Sequence, residues 1–141
     1  MGKPLTYIFT LVCAVALPGC QEDVPDADLV GTLWTLEAIE VPGEPDILPN
    51  AKWTYPIQFF EDYHFEGGIA CNHLVGEYML TGGGLIQFKN FSATKIYCGE
   101  SSNSLAEQYG AGLSAVHSYE IIGKKLQLHF NDSVLKFRNL E

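Results

Sequence analysis

Basic residues are scarce in this chain: 8 Lys and Arg stand against 17 Asp and Glu, a formal net charge of −9. Such a surface repels nucleic-acid phosphates and anionic headgroups, so nucleic-acid binding is set aside. A run long enough to span a bilayer is also missing. The leading apolar stretch, residues 5–17, is 13 residues long and too short for a transmembrane helix. Several chemical signatures are absent. There is no G-x-S-x-G, no H-E-x-x-H, no P-loop and no G-x-G-x-x-G, which removes the usual nucleophile elbow, zinc protease helix and nucleotide cradles. The glycine run at 82–84 lacks a following Lys-Ser/Thr and reads as a turn. Paired C-x2-C spacing is lacking too, and with it the strongest sign of a zinc site.

What is present begins with an address. Lys3 followed by the short apolar run has the form of a signal peptide. It ends in Leu17-Pro18-Gly19-Cys20, which resembles a bacterial lipobox. The reading is a signal peptide over residues 1–19 and lipidation at Cys20. An ordinary secretory signal is the alternative. The expected place is the cell envelope, lipid-anchored and at the outer membrane. Residues 20–29 are acidic and read as a flexible tether. Glu22-Asp23 resembles the export tags of some surface lipoproteins, with a solvated linker as the bland reading.

The remaining residues, 30–141, read as one domain. Residues 30–41 form a strand marked by Trp34, Leu36 and Ile39. Pro42 to Asn50 is a loop. Trp53, Tyr55, Ile57 and Phe59 alternate, as do Tyr63, Phe65, Gly67 and Ile69, predicting a hairpin turned at Glu61-Asp62. Pro56 is expected at an edge or a bulge because it cannot donate to a ladder. Strands follow at 76–80, 85–91, 118–122, 125–130 and 133–138, separated by Gly- and Asn-rich turns. The one helix is predicted over residues 102–116. Its apolar face is Leu105, Tyr109, Leu113 and Val116, and Ser104 with Glu107 has capping-box spacing. Gly110 and Gly112 weaken it or allow a close approach to a sheet. The fold class is therefore α+β: about eight antiparallel strands in a curved, partly open barrel-like sheet packed around one helix.

The stretch 67–78 reads as a structural corner. Gly67, Gly68 and Asn72 are expected to bend the chain, and Gly76 to start the next strand. Cys71 and Cys98 remain after the leader is removed, an even pair in an exported chain, and a disulfide between them is expected on compartment grounds. Two buried thiols are the alternative. Cys71-x-His73 with Cys98 and His64 supplies soft ligands at loose spacing, so no metal and no cofactor is expected. Cys71 with His73, His64 or His117 is formally a nucleophile pair, but a disulfide removes the nucleophile.

Trp34, Phe65-x-Gly67, Cys71-Asn72, Gly76-x-Tyr78, Ile86-x-Phe88, Thr94, Cys98, Glu107, Leu113, Tyr119-x-Ile121 and Leu126-x-Leu128 together resemble the META domain, or HslJ-like, family. The resemblance covers residues 30–138. Where the family usually reads Gly-Cys-Asn, this chain has Ala70-Cys71-Asn72. The resemblance implies a small antiparallel sheet wrapped about a helix, in envelope proteins linked to heat or antibiotic stress. It brings no catalytic mechanism. The function expected is a membrane-anchored, non-catalytic binding or stress-protective accessory module. Its partners would be the membrane through Cys20 and an envelope protein of undefined identity. A carrier holding a small apolar ligand in the sheet's concavity is the alternative, and a thiol enzyme comes last.

Overall fold

Alternation of apolar residues dictates strands with one inward face, and the computed structural model bears this out at Tyr55, Ile57 and Phe59, all fully buried beside a half-buried Trp53. The structure describes Gly2 and residues 26–141. The leader, Cys20 and the tether up to residue 25 lie outside the described residues.

The strands are Leu33–Glu40 (β1), Pro56–Phe59 (β2), His64–Ile69 (β3), Asn72–Leu80 (β4), Ile86–Ala93 (β5), Val116–Ile122 (β6), Lys125–Phe130 (β7) and Ser133–Asn139 (β8). Glu100–Ala115 is the helix α1, between β5 and β6. The spatial order is β5-β4-β3-β2-β1-β8-β7-β6, and every neighbouring pair is antiparallel. Leu85 bridges Ser118, and the Tyr119 N–H donates to the Gly84 carbonyl at 2.8 Å. The two edge strands thus meet at one end, and the sheet curls into a half-barrel around α1.

Period-two reasoning stops at β1, where Leu36, Ala38 and Ile39 are all buried. A β-bulge between Leu36 and Ala38 against β8 resets the alternation and turns Ile39 inward. Pro56 corrects an expectation. Its strand is interior, between β1 and β3. Proline is tolerated there because it is the strand's first residue, where a missing N–H leaves the ladder intact. Tyr63 also departs from its expected strand and sits in the turn at φ 64.

The helix buries Leu105, Tyr109 and Leu113, as its periodicity requires. Val116 is buried as the first residue of β6 instead. The capping box is not formed. The helix starts before Ser104, with Gly99 as N-cap at φ 102 and no side-chain cap. Gly110 and Gly112 separate in role. A methyl at Gly112 would meet Leu135 Cδ2 at 3.2 Å and Phe130 Cζ at 3.3 Å, whereas at Gly110 it meets only Ile69 Cδ1 at 3.8 Å. Gly110→Ala is therefore expected to stabilise the domain by about 1 kcal/mol, through helix propensity, and Gly112→Ala to give no such gain. Thermal unfolding of both variants checks this; equal gains at the two sites would contradict the packing argument.

Order begins earlier than residue 30. The Leu29 and Val30 N–H groups both donate to the Asp26 carbonyl at 3.0 Å. Leu29 is fully buried, and its carbonyl accepts the Trp34 Nε1–H at 3.3 Å. Tyr119 Oη donates to Asp26 Oδ2 at 3.2 Å. The antiparallel registers place this 26–30 turn at the same end of the half-barrel as the turns at 60–63, 81–84 and 123–124. The turns at 70–71 and 131–132 and the connection 94–99 lie at the other end.

Candidate functional site

The corner is a two-residue turn, Ala70-Cys71, between Ile69 and Asn72, which pair across β3 and β4. Ala70 takes the left-handed conformation at φ 57, the position where such a hairpin favours glycine. Asn72 is in the strand, and Gly67, Gly68 and Gly76 are not left-handed either. The expected bending at Gly67, Gly68 and Asn72 is thus corrected, and Gly76, expected to start its strand, lies in the middle of β4, which begins at Asn72. The glycines clear space instead. A Cβ on Gly67 would stand 2.3 Å from the Pro56 carbonyl oxygen, and one on Gly68 2.9 Å from Pro56 Cδ. Strands β2 and β3 pack this closely only without side chains there.

Cys71 and Cys98 form a disulfide, with Cα atoms 5.6 Å apart. It ties the turn to the connection between β5 and α1. Asn72 adds a polar clamp to the same connection. Its Oδ1 accepts Thr94 Oγ1–H at 2.8 Å and the Ile96 N–H at 2.7 Å. Its Nδ2 donates to the Ile96 carbonyl at 3.0 Å and lies 3.2 Å from Cys98 Sγ. Thr94 continues the ladder through His73, each residue accepting from the other at 3.0 Å. The Cys98 N–H donates to Asn103 Oδ1 at 3.2 Å, linking the disulfide to the first turn of α1.

This clamped connection presents two apolar side chains to solvent. Ile96 is 61% exposed and Tyr97 74%. They border an open groove of about 470 Å³, floored by Ile69, Ala93 and Ala106 with Asn72 at its edge. Thr94, Ile96, Tyr97 and Asn103 were not singled out as site residues from sequence. The available signal was an apolar pair, Ile96-Tyr97, outside any alternating strand and directly before a cysteine.

A second open groove, also about 470 Å³, lies at the opposite end between Gly31, Gln58, Phe60 and His64. The His64 ring stacks on Phe60 at 4.2 Å with the planes 2° apart. Its Nδ1 bonds the Asp62 carboxylate, and Nε2 is 3.9 Å from Glu66 Oε1. The His64 hydrogen bond holds the Asp62 carboxyl below its ordinary range. The lining of this groove contains no serine, cysteine or lysine. His64 thus lies at the far end from Cys71, and His73 and His117 are exposed. With both sulfurs in a disulfide, Cys71 and Cys98 offer neither a free thiolate nucleophile nor a thiolate ligand. Among the described residues no group of three or more His, Cys, Asp or Glu is placed to hold a metal.

The concave face is filled by its own side chains. Tyr109 of α1 meets Tyr55 edge-on at 5.5 Å and Phe137 at 6.2 Å. Leu105 and Leu113 of the helix are buried on either side of it. Burial pushes the Tyr78 and Tyr119 hydroxyls up to about 12 and Tyr109 further still. These groups stay neutral when folded, while unfolded tyrosines ionise near pH 10. The stability they contribute is complete below pH 10 and is lost as pH rises towards 12. Alkaline unfolding followed by tyrosinate absorbance is expected in that window. Non-cooperative titration of all tyrosines near pH 10 would contradict it.

A family model described as META domain matches residues 27–141. No curated protein matches the chain. An NMR structure of a protein from Burkholderia xenovorans is similar at TM-score 0.67 and 19% identity, over 87% of this chain and 96% of that one. A second NMR structure is similar at TM-score 0.62 and 23% identity, over 79% of this chain and 92% of its own. A crystal structure of a DUF4847 family protein from Bacteroides vulgatus shares the fold at TM-score 0.59 and 13% identity, over 79% and 94%. These likenesses are of fold. The match over residues 27–141, together with the half-barrel around one helix, places the chain in the META domain family.

Proposed function

We propose that this chain is a lipid-anchored accessory module of the cell envelope, held at the outer membrane by Cys20, that acts by binding a protein partner and carries no catalysis. The supporting observation is the Ile96-Tyr97 tip, exposed yet fixed by the disulfide and by Asn72. Two apolar side chains carried on a tied-down backbone lose little backbone entropy on docking, which favours a binding surface. Their position supports a protein partner over a lipid contact. Five residues separate Cys20 from Asp26, and each spans at most about 3.6 Å. An anchor at Cys20 would tether the domain through its 26–30 end, and the tip lies at the other end of the half-barrel. A stress-protective role belongs to the same proposal.

The test is a photocrosslinking side chain at position 97 in living cells, with position 120 as control. A discrete adduct is expected from 97 and not from 120, and Ile96→Ser should abolish it. Cys20→Ala should move the chain to the soluble fraction. Indistinguishable adducts from both positions would remove the binding surface, and continued membrane fractionation of Cys20→Ala would remove the anchor.

A further inference from the structure

We propose that Cys71–Cys98 is a site of thiol–disulfide exchange, at which a dithiol protein attacks Cys71 Sγ and Cys98 departs as the thiolate. Three observations on the two sulfurs point this way. They differ in access: Cys98 is 6% exposed, whereas Cys71 is half-buried at the turn. They differ in hydrogen bonding as well. The Cys71 N–H and Asn72 Nδ2 both direct hydrogens at Cys98 Sγ from 3.2 Å, whereas Asn72 Nδ2 is 3.9 Å from Cys71 Sγ. Finally, Cys98 directly precedes Gly99, the N-cap of the 16-residue helix α1, whose unpaired N–H groups favour negative charge nearby. Donors of this kind stabilise a thiolate, and a stabilised thiolate leaves faster.

Opposing groups are few. The Ile96 carbonyl lies 3.3 Å from Cys98 Sγ, but it already accepts from Asn72. Lys95 and Glu107 of the adjoining groove have opposite charge. Glu100 in the first turn of α1 opposes a thiolate from an exposed position. Burial of Cys98 among core side chains also opposes a thiolate, and the two directed N–H donors and the helix terminus are set against it.

The exchange balances without another reagent. The partner's thiolate forms a bond to Cys71 Sγ, the Cys71–Cys98 bond breaks, and its electron pair goes to Cys98. The partner's second thiolate then attacks its own mixed-disulfide sulfur and releases Cys71, which takes up a proton from water. The partner ends as a disulfide, oxidised by two electrons, and the pair at 71 and 98 ends reduced. Residues 94–98 are then held by the hydrogen bonds of Asn72, Thr94 and Asn103. The site stands whether or not the Ile96-Tyr97 tip binds a partner.

The experiment uses the full chain in oxidised form with Cys13→Ser and Cys20→Ser, so that only the sulfurs at 71 and 98 remain. It is incubated with a C-x-x-C oxidoreductase whose second cysteine is replaced, and the mixed disulfide is mapped by peptide mass spectrometry. The adduct is expected on Cys71, at a rate unchanged by urea below the unfolding transition. Asn72→Asp keeps the acceptor for Thr94 and Ile96 and removes the donor at Cys98; it should slow the adduct about tenfold. In a Cys71→Ser background, alkylation of Cys98 should have its midpoint below the ordinary thiol value of about 8.5. Should that variant fail to fold, the mapping on the intact pair still decides. An adduct on Cys98, or one whose rate tracks global unfolding, would overturn the proposal.

Discussion

Gly76→Ala is expected to destabilise this domain by about 3 kcal/mol or more, the upper range for inserting a methyl into a filled core. An added Cβ would stand 2.3 Å from Phe91 Cβ, 2.7 Å from Phe91 Cα and 2.8 Å from Phe65 Cε1. No rotamer change relieves a clash with Phe91 Cα, because that atom belongs to the neighbouring strand's backbone. Gly76 sits where the β4–β5 register shifts between Val75 and Glu77, and Asn90 at φ 47 lies in the opposing segment of β5. The bulge brings the Phe91 backbone over the glycine, so relief requires moving β5 and the Phe65 ring, which packs edge-on against Phe88 at 5.0 Å. Denaturant titration measures the loss, with Gly123→Ala as the comparison. Gly123 has positive φ but open space, so its cost should stay near the 1–2 kcal/mol of left-handed strain. A Gly76→Ala variant no less stable than Gly123→Ala would mean that the strands separate easily at the bulge.

The same residues show what a sequence can and cannot say. Tyr55, Ile57 and Phe59 announce their strand because the alternation is local and the turn residues lie alongside. Leu105, Tyr109 and Leu113 announce the helix for the same reason. Pro56 misleads because its tolerance depends on being a strand's first residue, which a neighbouring strand decides. The start of α1 is hidden because no side chain caps it; Gly99 and the tie at Cys98 set it instead. Gly67 looks like a bending point because glycine is commonly that, yet it faces Pro56, 11 residues away in the chain. Gly76 looks like a strand's start yet lies mid-strand against Phe91, 15 residues away. The Cys71–Cys98 pair was legible from compartment and parity. The Asn72 clamp was not, since its partners at 94 and 96 become neighbours only after β4 and β5 pair.

Removing the disulfide by Cys71→Ser with Cys98→Ser is expected to cost about 3–4 kcal/mol, from the unfolded-state entropy of a loop closed across 27 positions. The loss should be uneven in the folded molecule. Strands β4 and β5 stay paired from Leu74–Ala93 to Leu80–Ile86 without the sulfurs. The connection 94–99 has no strand partner, and its remaining ties are the Asn72, Thr94 and Asn103 hydrogen bonds, worth about 0.5–1.5 kcal/mol each. Amide hydrogen exchange should therefore quicken most at residues 95–103, including the first turn of α1, where Asn103 bonds the Cys98 N–H. The sheet amides should lose protection only by the global amount. Asn72→Ala should cost more in the absence of the disulfide than in its presence, because both restrain the same segment. Strict additivity would mean that they act on separate parts of the fold. A loss under about 1 kcal/mol on removing both sulfurs would assign the connection to Asn72 alone. Between these outcomes lies the arrangement seen in the structure, where a covalent tie sets the position of the Ile96-Tyr97 tip and one asparagine sets its orientation.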